Sequence, residues 1–333
     1  MKVLSVVVPS YNSEAYLHKC VDSLLKGGER MEVIIVNDGS KDNTGKIADE
    51  YAAKYPDIVK VVHQENKGHG GGINSGIATA TGKYFKVVDS DDSLDEKSLL
   101  TALDALENSE VDMFVSNYKY THEDPKDDRV IKYSAIPKNR VITWDEIGTF
   151  RMEQYLTIHS VAYRTETVRE SGVVLPEHVF YEDNTFVCTV LPYVKKILYL
   201  DINLYNYTIG RDGQSVQESV IMRRYKHQML TARTVFTAYK LEEVESKQLR
   251  KLLFHEISMM VLIGVIFARL NKTEEAEKDV EELYAYCAEY DAKLAKRVRR
   301  RSMAAFVSIP GKFGRAIAIA CYRFARAVVK FNE

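Results

Sequence analysis

Two hydrophobic periods alternate along the first 120 residues. Nearly continuous β-branched and aromatic runs at 3–9 (VLSVVVP), 31–38 (MEVIIVND), 58–63 (IVKVVH), 83–89 (KYFKVVD) and 111–120 (VDMFVSNYKY) predict buried strands. Between them lie stretches with helical spacing. Residues 14–26 set Ala15, Leu17, Val21, Leu24 and Leu25 on one face, 42–55 opens with cap residues, 71–81 is rich in small residues, and 95–108 is amphipathic. This alternation predicts an α/β unit with a mostly parallel sheet covered on both faces. Such sheets bind ligands beyond the carboxyl ends of their strands. Here those ends are PSYNSE (9–14), NDGSKDNT (37–44), QENKGHGGG (64–72) and DSDD (89–92). One polar loop means little; four of them, two with acids and one with a glycine cluster, point to one assembled pocket.

The pattern changes at about residue 121. A charged loop, THEDPKDDR (121–129), leads into short mixed segments up to about 210, and from 214 onward the spacing is helical. SIPGKFG (308–314) interrupts the helices before a last one that runs to Asn332. The expected division is 1–213 for the α/β domain, 214–301 for a helical region and 302–333 for a basic amphipathic helix. The most apolar helical run, MMVLIGVIFA (259–268), is about half the ~20 residues of a membrane span and reads as a core helix.

Charge adds a second asymmetry. The formal net charge is −1, yet residues 293–333 hold eleven of the 46 Lys and Arg and a single acid, Glu333, so the rest of the chain is acidic. Four scattered cysteines, Cys20, Cys188, Cys287 and Cys321, lack metal-ligand spacing and read as free thiols of a reducing cytoplasm. The N-terminal segment runs straight into a strand pattern without a cleavage site, which also reads as cytoplasmic.

The candidate chemistry begins at the end of the fourth strand. Asp89, Asp91 and Asp92 are crowded into four residues. Carboxylates repel one another unless a cation sits among them. Mg²⁺ and Mn²⁺ prefer such hard oxygen ligands and complete their shells with substrate phosphates and water. The competing reading is that Asp92 or Ser93 caps the next helix and the other acids are solvated.

These residues, in this order, resemble a family. VVVPSYNSEAYLHKCVDSLL, EVIIVNDGSKDNT, NKGHGGGINSGIATATGKYFKVVDSDD and YEDNTF look like inverting glycosyltransferases of family 2, over roughly residues 1–210. The resemblance implies the GT-A fold, a Rossmann-like nucleotide-sugar-binding architecture, and a helical C-terminal region lies beyond it. It implies that Pro9, Tyr11 and Glu14 pack on the nucleotide base and that Asp38 contacts the uracil. It puts Asp89 near the ribose, and Asp91 and Asp92 at a Mn²⁺ or Mg²⁺ ion and the diphosphate. Where many relatives carry Ala-Arg-Asn, this chain has GGGIN: Asn74 keeps its register as a donor-binding residue, and the arginine is absent. Lys67, His69 or the glycine N–H groups are the alternatives for its role.

A sugar hydroxyl is a poor nucleophile near neutral pH, and one-step inversion needs a base opposite the leaving diphosphate. The resemblance assigns that base to Asp183 of the FYEDNTF segment (180–186), with Glu182 orienting it or touching the acceptor. Both acids also suit the positive end of a following helix. YNYTIGRDGQSVQ (205–217) is expected to close the pocket, with Arg211 reaching the diphosphate. His159 reads as a packed core histidine, and His178 is assigned no role.

The last helix aligns Phe313, Ile317, Cys321, Phe324, Val328 and Phe331 on one stripe, with Arg315, Arg323, Arg326 and Lys330 on the other side. Two readings stay open: a helix lying on an anionic membrane surface, or one docked on its own protein or on a homodimer partner. No groove-reading motif accompanies the charge, so nucleic acid is not expected. The sequence thus reads as a cytoplasmic enzyme, which the first of these two readings would make peripheral at the inner face of the plasma membrane. It would transfer a sugar from a nucleotide sugar, a UDP-sugar above all, to a saccharide or lipid-linked acceptor in surface polysaccharide synthesis. The alternatives are a catalytically inactive, carbohydrate-binding or scaffold protein, and a nucleotidyltransferase; the absence of Lys and Arg from PSYNSE speaks against the latter.

Overall fold

The computed structural model describes residues 2–122, 124–151, 154–209, 218–302, 304–309 and 311–329. The chain forms two compact units, Met1–Ile209 and Gly210–Glu333.

The first unit begins β1 (Leu4–Ser10), α1 (Leu17–Leu25), β2 (Met31–Asp38), α2 (Thr44–Lys54), β3 (Val59–Gln64), α3 (Gly68–Thr79) and β4 (Tyr84–Val87). It continues through β5 (Ser93–Leu94), α4 (Glu96–Glu107), β6 (Met113–Thr121), β7 (Arg129–Ile131) and β8 (Val141–Ile142). It ends with β9 (Val161–Arg164), α5 (Thr165–Glu170), α6 (Asp183–Val190) and β10 (Ile197–Thr208). All belong to one mixed sheet in the order β3-β2-β1-β4-β9-β6-β10-β5, with β7 on β6 and β8 on β10. The β-branched runs are buried on both faces, as parallel strands under helices must be: Val6, Val8, Val33 and Ile35 on β1 and β2 are fully buried with Leu24 of α1.

The five strands expected from the pattern are present, and β1 through β4 pair in parallel. The sheet then departs from the expected run. The short β9 lies antiparallel between β4 and β6, where the sequence showed only mixed segments. Four residues are too few to display a period.

Helix α3 also begins earlier than its pattern suggested, at Gly68. Its glycines permit close packing. A Cβ at Gly76 would stand 2.3 Å from Val7 Cγ1, and one at Gly70 would stand 2.7 Å from the Pro176 carbonyl oxygen. The cap of α4 is Asp95, which accepts from the Ser98 N–H at 2.9 Å, and neither Asp92 nor Ser93 fills that role.

At the opposite end of the sheet from the site loops, Glu32 is buried and collects four hydrogen bonds. These come from Lys60 Nζ and Thr81 Oγ1 at 2.6 Å, from the Thr81 N–H at 2.7 Å and from Ser5 Oγ. Burial alone would push its carboxyl up, but these donors hold it down at about 2.

The second unit is helical: α7 (Glu218–Arg223), α8 (Tyr225–Thr237), α9 (Lys247–Leu270), α10 (Glu274–Tyr290), α11 (Ala292–Arg301), α12 (Ala304–Val307) and α13 (Gly311–Val329). The apolar run at 259–268 belongs to the 24-residue α9, which is long and apolar enough to cross a membrane, yet 67% of its most apolar window is buried in the protein. It serves as the core helix, packed against α8, α10, α12 and α13. Asp291 separates α10 from α11 by accepting from the Leu294 N–H at 2.8 Å.

Helix α13 packs on α9, but through a face other than the expected stripe. Gly314 and Ala318 are buried, and Tyr322, one turn further on, stacks edge-on against Phe267 and donates to Glu218 at 2.8 Å. Phe313, at the head of the expected stripe, is 72% exposed.

Candidate active site

The loops after β1, β2, β3 and β4 converge, as the polar strand ends implied. The first two are tied together. Glu14 Oε2 accepts from both the backbone N–H and the side-chain amide of Asn43 at 2.9 Å, and the Glu14 N–H donates to Asp42 at 3.1 Å. Glu14 therefore braces the loops, and Pro9 is buried against α3, where a Cβ on Gly72 would meet Pro9 Cβ at 3.0 Å.

Tyr11 is half exposed and lines an open groove of about 520 Å³ with Gly39, Lys41, His63, Gln64, Glu65 and Asn66. Asp38, buried at the end of β2, shapes this groove from below. Its carboxylate accepts from Gln64 Nε2 at 2.7 Å and from the Lys67 and Gly68 N–H groups at 2.8 Å.

Asn74 is hydrogen-bonded to a neighbouring segment. Its amide clasps the Leu175 backbone in both directions, each bond 2.9 Å. It anchors the segment that leads to the Glu182–Asp183 pair. The glycines of α3 serve the same docking: Gly68 has φ +76°, and its amide edge lies under His178, whose N–H donates to the Lys67 carbonyl at 2.9 Å. Tyr181, just before the acid pair, holds φ at +70°, an uncommon conformation for a side chain of that size.

The acids meet around one imidazole. His69 Nδ1 is 2.7 Å from Glu182 Oε1, and its Nε2 is 2.9 Å from Asp89 Oδ1. Burial works to push this imidazole down, but the two carboxylates outweigh it and hold it well above its ordinary value. Of the alternatives open for the missing arginine, His69 is the cation placed between the acids. Lys67 pairs with Glu177 at 3.4 Å. Asp89, despite burial, is held well below the usual carboxylate range by His159 and His69.

Asp92 is fully buried and accepts from Tyr205 Oη at 2.6 Å and from the Thr208 N–H at 2.8 Å, which ties the DSDD turn to β10. Burial, then the charges of Asp89 and Asp91, push its carboxyl well up. Asp91 is half-buried on the same turn. Asp183 starts α6, where burial and then the neighbouring Glu182 charge raise its carboxyl to about 6. Arg211 lies outside the described residues.

Two residues of the site were given no part in it from sequence, His159 and Lys86. His159, expected as core, does stack on Tyr207 at 4.5 Å and meets Tyr205 edge-on at 4.9 Å. Its Nε2 nevertheless faces Asp89 at 3.7 Å, and its buried Nδ1 has no hydrogen-bond partner among the described residues. Lys86 is buried beneath this aromatic wall and donates to the His159 carbonyl at 2.7 Å and the Val161 carbonyl at 3.1 Å. Burial lowers its ammonium to about 7. A charge flanked by Phe85 and Val87 in a buried run was the signal for it.

Donor atoms of Asp89, Asp92 and His159 lie within 4.8 Å of one another. Carboxylate oxygens keep a lone pair after accepting one hydrogen bond. Two carboxylates with an imidazole, next to the Asp91 charge, form a donor set that fits a divalent cation such as Mn²⁺.

Comparison with known proteins agrees with this geometry. The chain is 29% identical over 212 residues to the uncharacterized glycosyltransferase EpsJ of Bacillus subtilis, covering 62% of this chain and 60% of that one. It thus spans less than two thirds of that relative's length. Among solved structures it resembles residues 1–349 of TarS from S. aureus in complex with UDP-GlcNAc, with a TM-score of 0.69 and 21% identity, over 99% of this chain and 92% of that one. It also resembles the mannosyltransferase PcManGT of Pyrobaculum calidifontis in complex with GDP-Man and Mn²⁺, with a TM-score of 0.56 and 15% identity, over 98% and 87% of the two chains. Residues 5–165 match the model of glycosyl transferase family 2. That matched segment belongs to glycosyl transferase family 2, and the first unit, which contains it, has the GT-A fold.

Proposed function

We propose that the protein is a metal-dependent, inverting glycosyltransferase that moves a sugar from a nucleotide sugar, a UDP-sugar above all, to a hydroxyl of a saccharide or lipid-linked acceptor. The observation that carries this reading is the Asp89–His69–Glu182 bridge, which joins the strand-end acids to the pair that holds Asp183. The TarS structure with UDP-GlcNAc and the PcManGT structure with GDP-Man and Mn²⁺ support the donor class and the cation.

Tyr11 offers a ring face to the base, and the groove beside it accommodates the nucleoside. A cation held by the acids of the DSDD turn would neutralise the diphosphate as it leaves. Asp183, with its carboxyl near 6, is largely ionised at neutral pH and still basic enough to take the acceptor hydroxyl proton. The acceptor oxygen then bonds the anomeric carbon as the bond to the diphosphate breaks. His69 holds Asp89 and Glu182 in place, and Asn74 fixes the approach of the Asp183 segment.

Incubation with a panel of nucleotide sugars and Mn²⁺, read by mass spectrometry, tests donor and activity together. Release of a nucleoside diphosphate from one donor, dependent on Mn²⁺, is the expected result. Binding without turnover of any donor, with or without saccharide acceptors, would instead favour the inactive carbohydrate-binding protein.

A further inference from the structure

Helix α13 has three distinct faces. The docked face is Gly314, Ala318 and Tyr322. At about 100° per residue, exposed Phe313, Ala316, Ala320 and Cys321, together with half-buried Ile317, form a continuous apolar arc on the solvent side. Exposed Lys312 and Arg323, with half-buried Arg315, flank that arc on its other edge. Upstream, α11 buries Leu294, Ala295 and Val298 and exposes Lys293, Lys296, Arg297, Arg299, Arg300 and Arg301.

These observations narrow the partner. A single exposed phenylalanine would mean little, but Phe313, 72% exposed, lies in a continuous exposed apolar arc beside lysine and arginine. A symmetric dimer through this face would set the same cationic surface against itself, because a two-fold interface uses one patch twice. A nucleic acid would satisfy the charge and leave the apolar arc in water. An anionic lipid surface satisfies both: headgroups meet the cations, and the arc enters the acyl boundary.

We propose that the exposed arc of α13, with the cations of residues 293–323, seats this unit on an anionic bilayer surface. The contact is interfacial and reversible, and it is separate from the buried α9.

The test uses the full chain and vesicles of phosphatidylglycerol or of phosphatidylcholine alone, in a co-sedimentation assay. The protein should sediment with phosphatidylglycerol at about 0.05 M salt and lose about tenfold or more of that affinity at about 0.5 M, as screening shortens the reach of the charges. It should ignore phosphatidylcholine. Phe313→Asp with Ile317→Asp should lose about tenfold or more of the vesicle affinity, because a charge enters the acyl boundary. The variant's melting temperature, oligomeric state and donor turnover in solution should be unchanged. Lys296→Gln, Arg300→Gln and Arg301→Gln together should weaken binding at low salt.

Failure of the parent to bind phosphatidylglycerol at low salt would overturn the proposal. So would normal vesicle binding by the apolar variant, which would leave only charge adsorption. A fall in its melting temperature would show that the arc packs on protein, and a change from dimer to monomer would show an interface between copies. Each of these readouts is independent of whether the first unit transfers sugar.

Discussion

His69 and Glu182 are 113 residues apart in the chain, and their polar atoms lie 2.7 Å apart in the fold. The contact puts an imidazolium beside a carboxylate that is 2% exposed, while the other ring nitrogen holds Asp89. His69→Gln would leave buried Glu182 with a neutral neighbour. The expected cost is about 1 to 2 kcal/mol, less than for a fully buried ion pair because the His69 side chain is 34% exposed and partly screened by solvent, read as a lower denaturation midpoint. The folded value of His69 is raised, so its contribution is complete below its unfolded value and fades as pH climbs through the folded one. The stability gap between parent and variant should therefore narrow in alkali. A gap that is constant with pH would mean that His69 acts by shape alone.

Asp183→Asn should leave UDP-sugar binding intact and lower turnover by at least ~10²-fold, as loss of a general base does. In the parent, kcat/KM should rise with pH through about 6, where the Asp183 carboxyl ionises. Isothermal titration with UDP and steady-state rates from pH 5 to 8 measure both. An acid limb that survives in the variant would assign it to another group.

Asp91→Asn should remove the metal-dependent part of donor affinity without unfolding the chain. Asp91 is half-buried and, unlike Asp92, does not tie the DSDD turn to β10 through the Tyr205 and Thr208 bonds. UDP titrated with and without Mn²⁺ should show a gain from the metal in the parent and a gain smaller by ~10-fold or more in the variant, the scale of damage to a metal shell. An equal gain in both would take Asp91 out of the metal shell and leave the cation to Asp89, Asp92 and His159.

Glu32 is expected to contribute to the acid limit of stability. Its carboxyl is held at about 2 against an ordinary 4.5. A depressed carboxylate contributes fully above its unfolded value and loses that contribution as pH falls towards the folded one. Glu32→Gln should cost about 2 kcal/mol at pH 7, because buried donors lose a charged acceptor. The difference from the parent should shrink between about pH 4.5 and 2. Melting curves across that range check it; a difference that grows in acid would contradict the network.

Much of this protein could be read in one dimension. Strands β1 to β4 and β6 and their helices follow from local periodicity, because a parallel strand buried on both faces is a continuous apolar run. The convergence of the polar loops also follows, since a parallel sheet places its strand ends on one side. Tertiary structure decided which residues of those loops pair with one another. Asn74 and Glu14 hydrogen-bond to neighbouring segments, at Leu175 and Asn43, that sequence spacing could not place beside them. His69, His159 and Lys86 took on meaning only when β4, β9, α3 and the start of α6 came together. Hydrophobic period is local, whereas ion pairing in a buried site depends on three-dimensional distance. The same reason holds at the far end of the chain: the sequence marked α13 as basic and amphipathic, and only tertiary packing showed that Gly314 and Ala318 are buried while Phe313 remains in solvent.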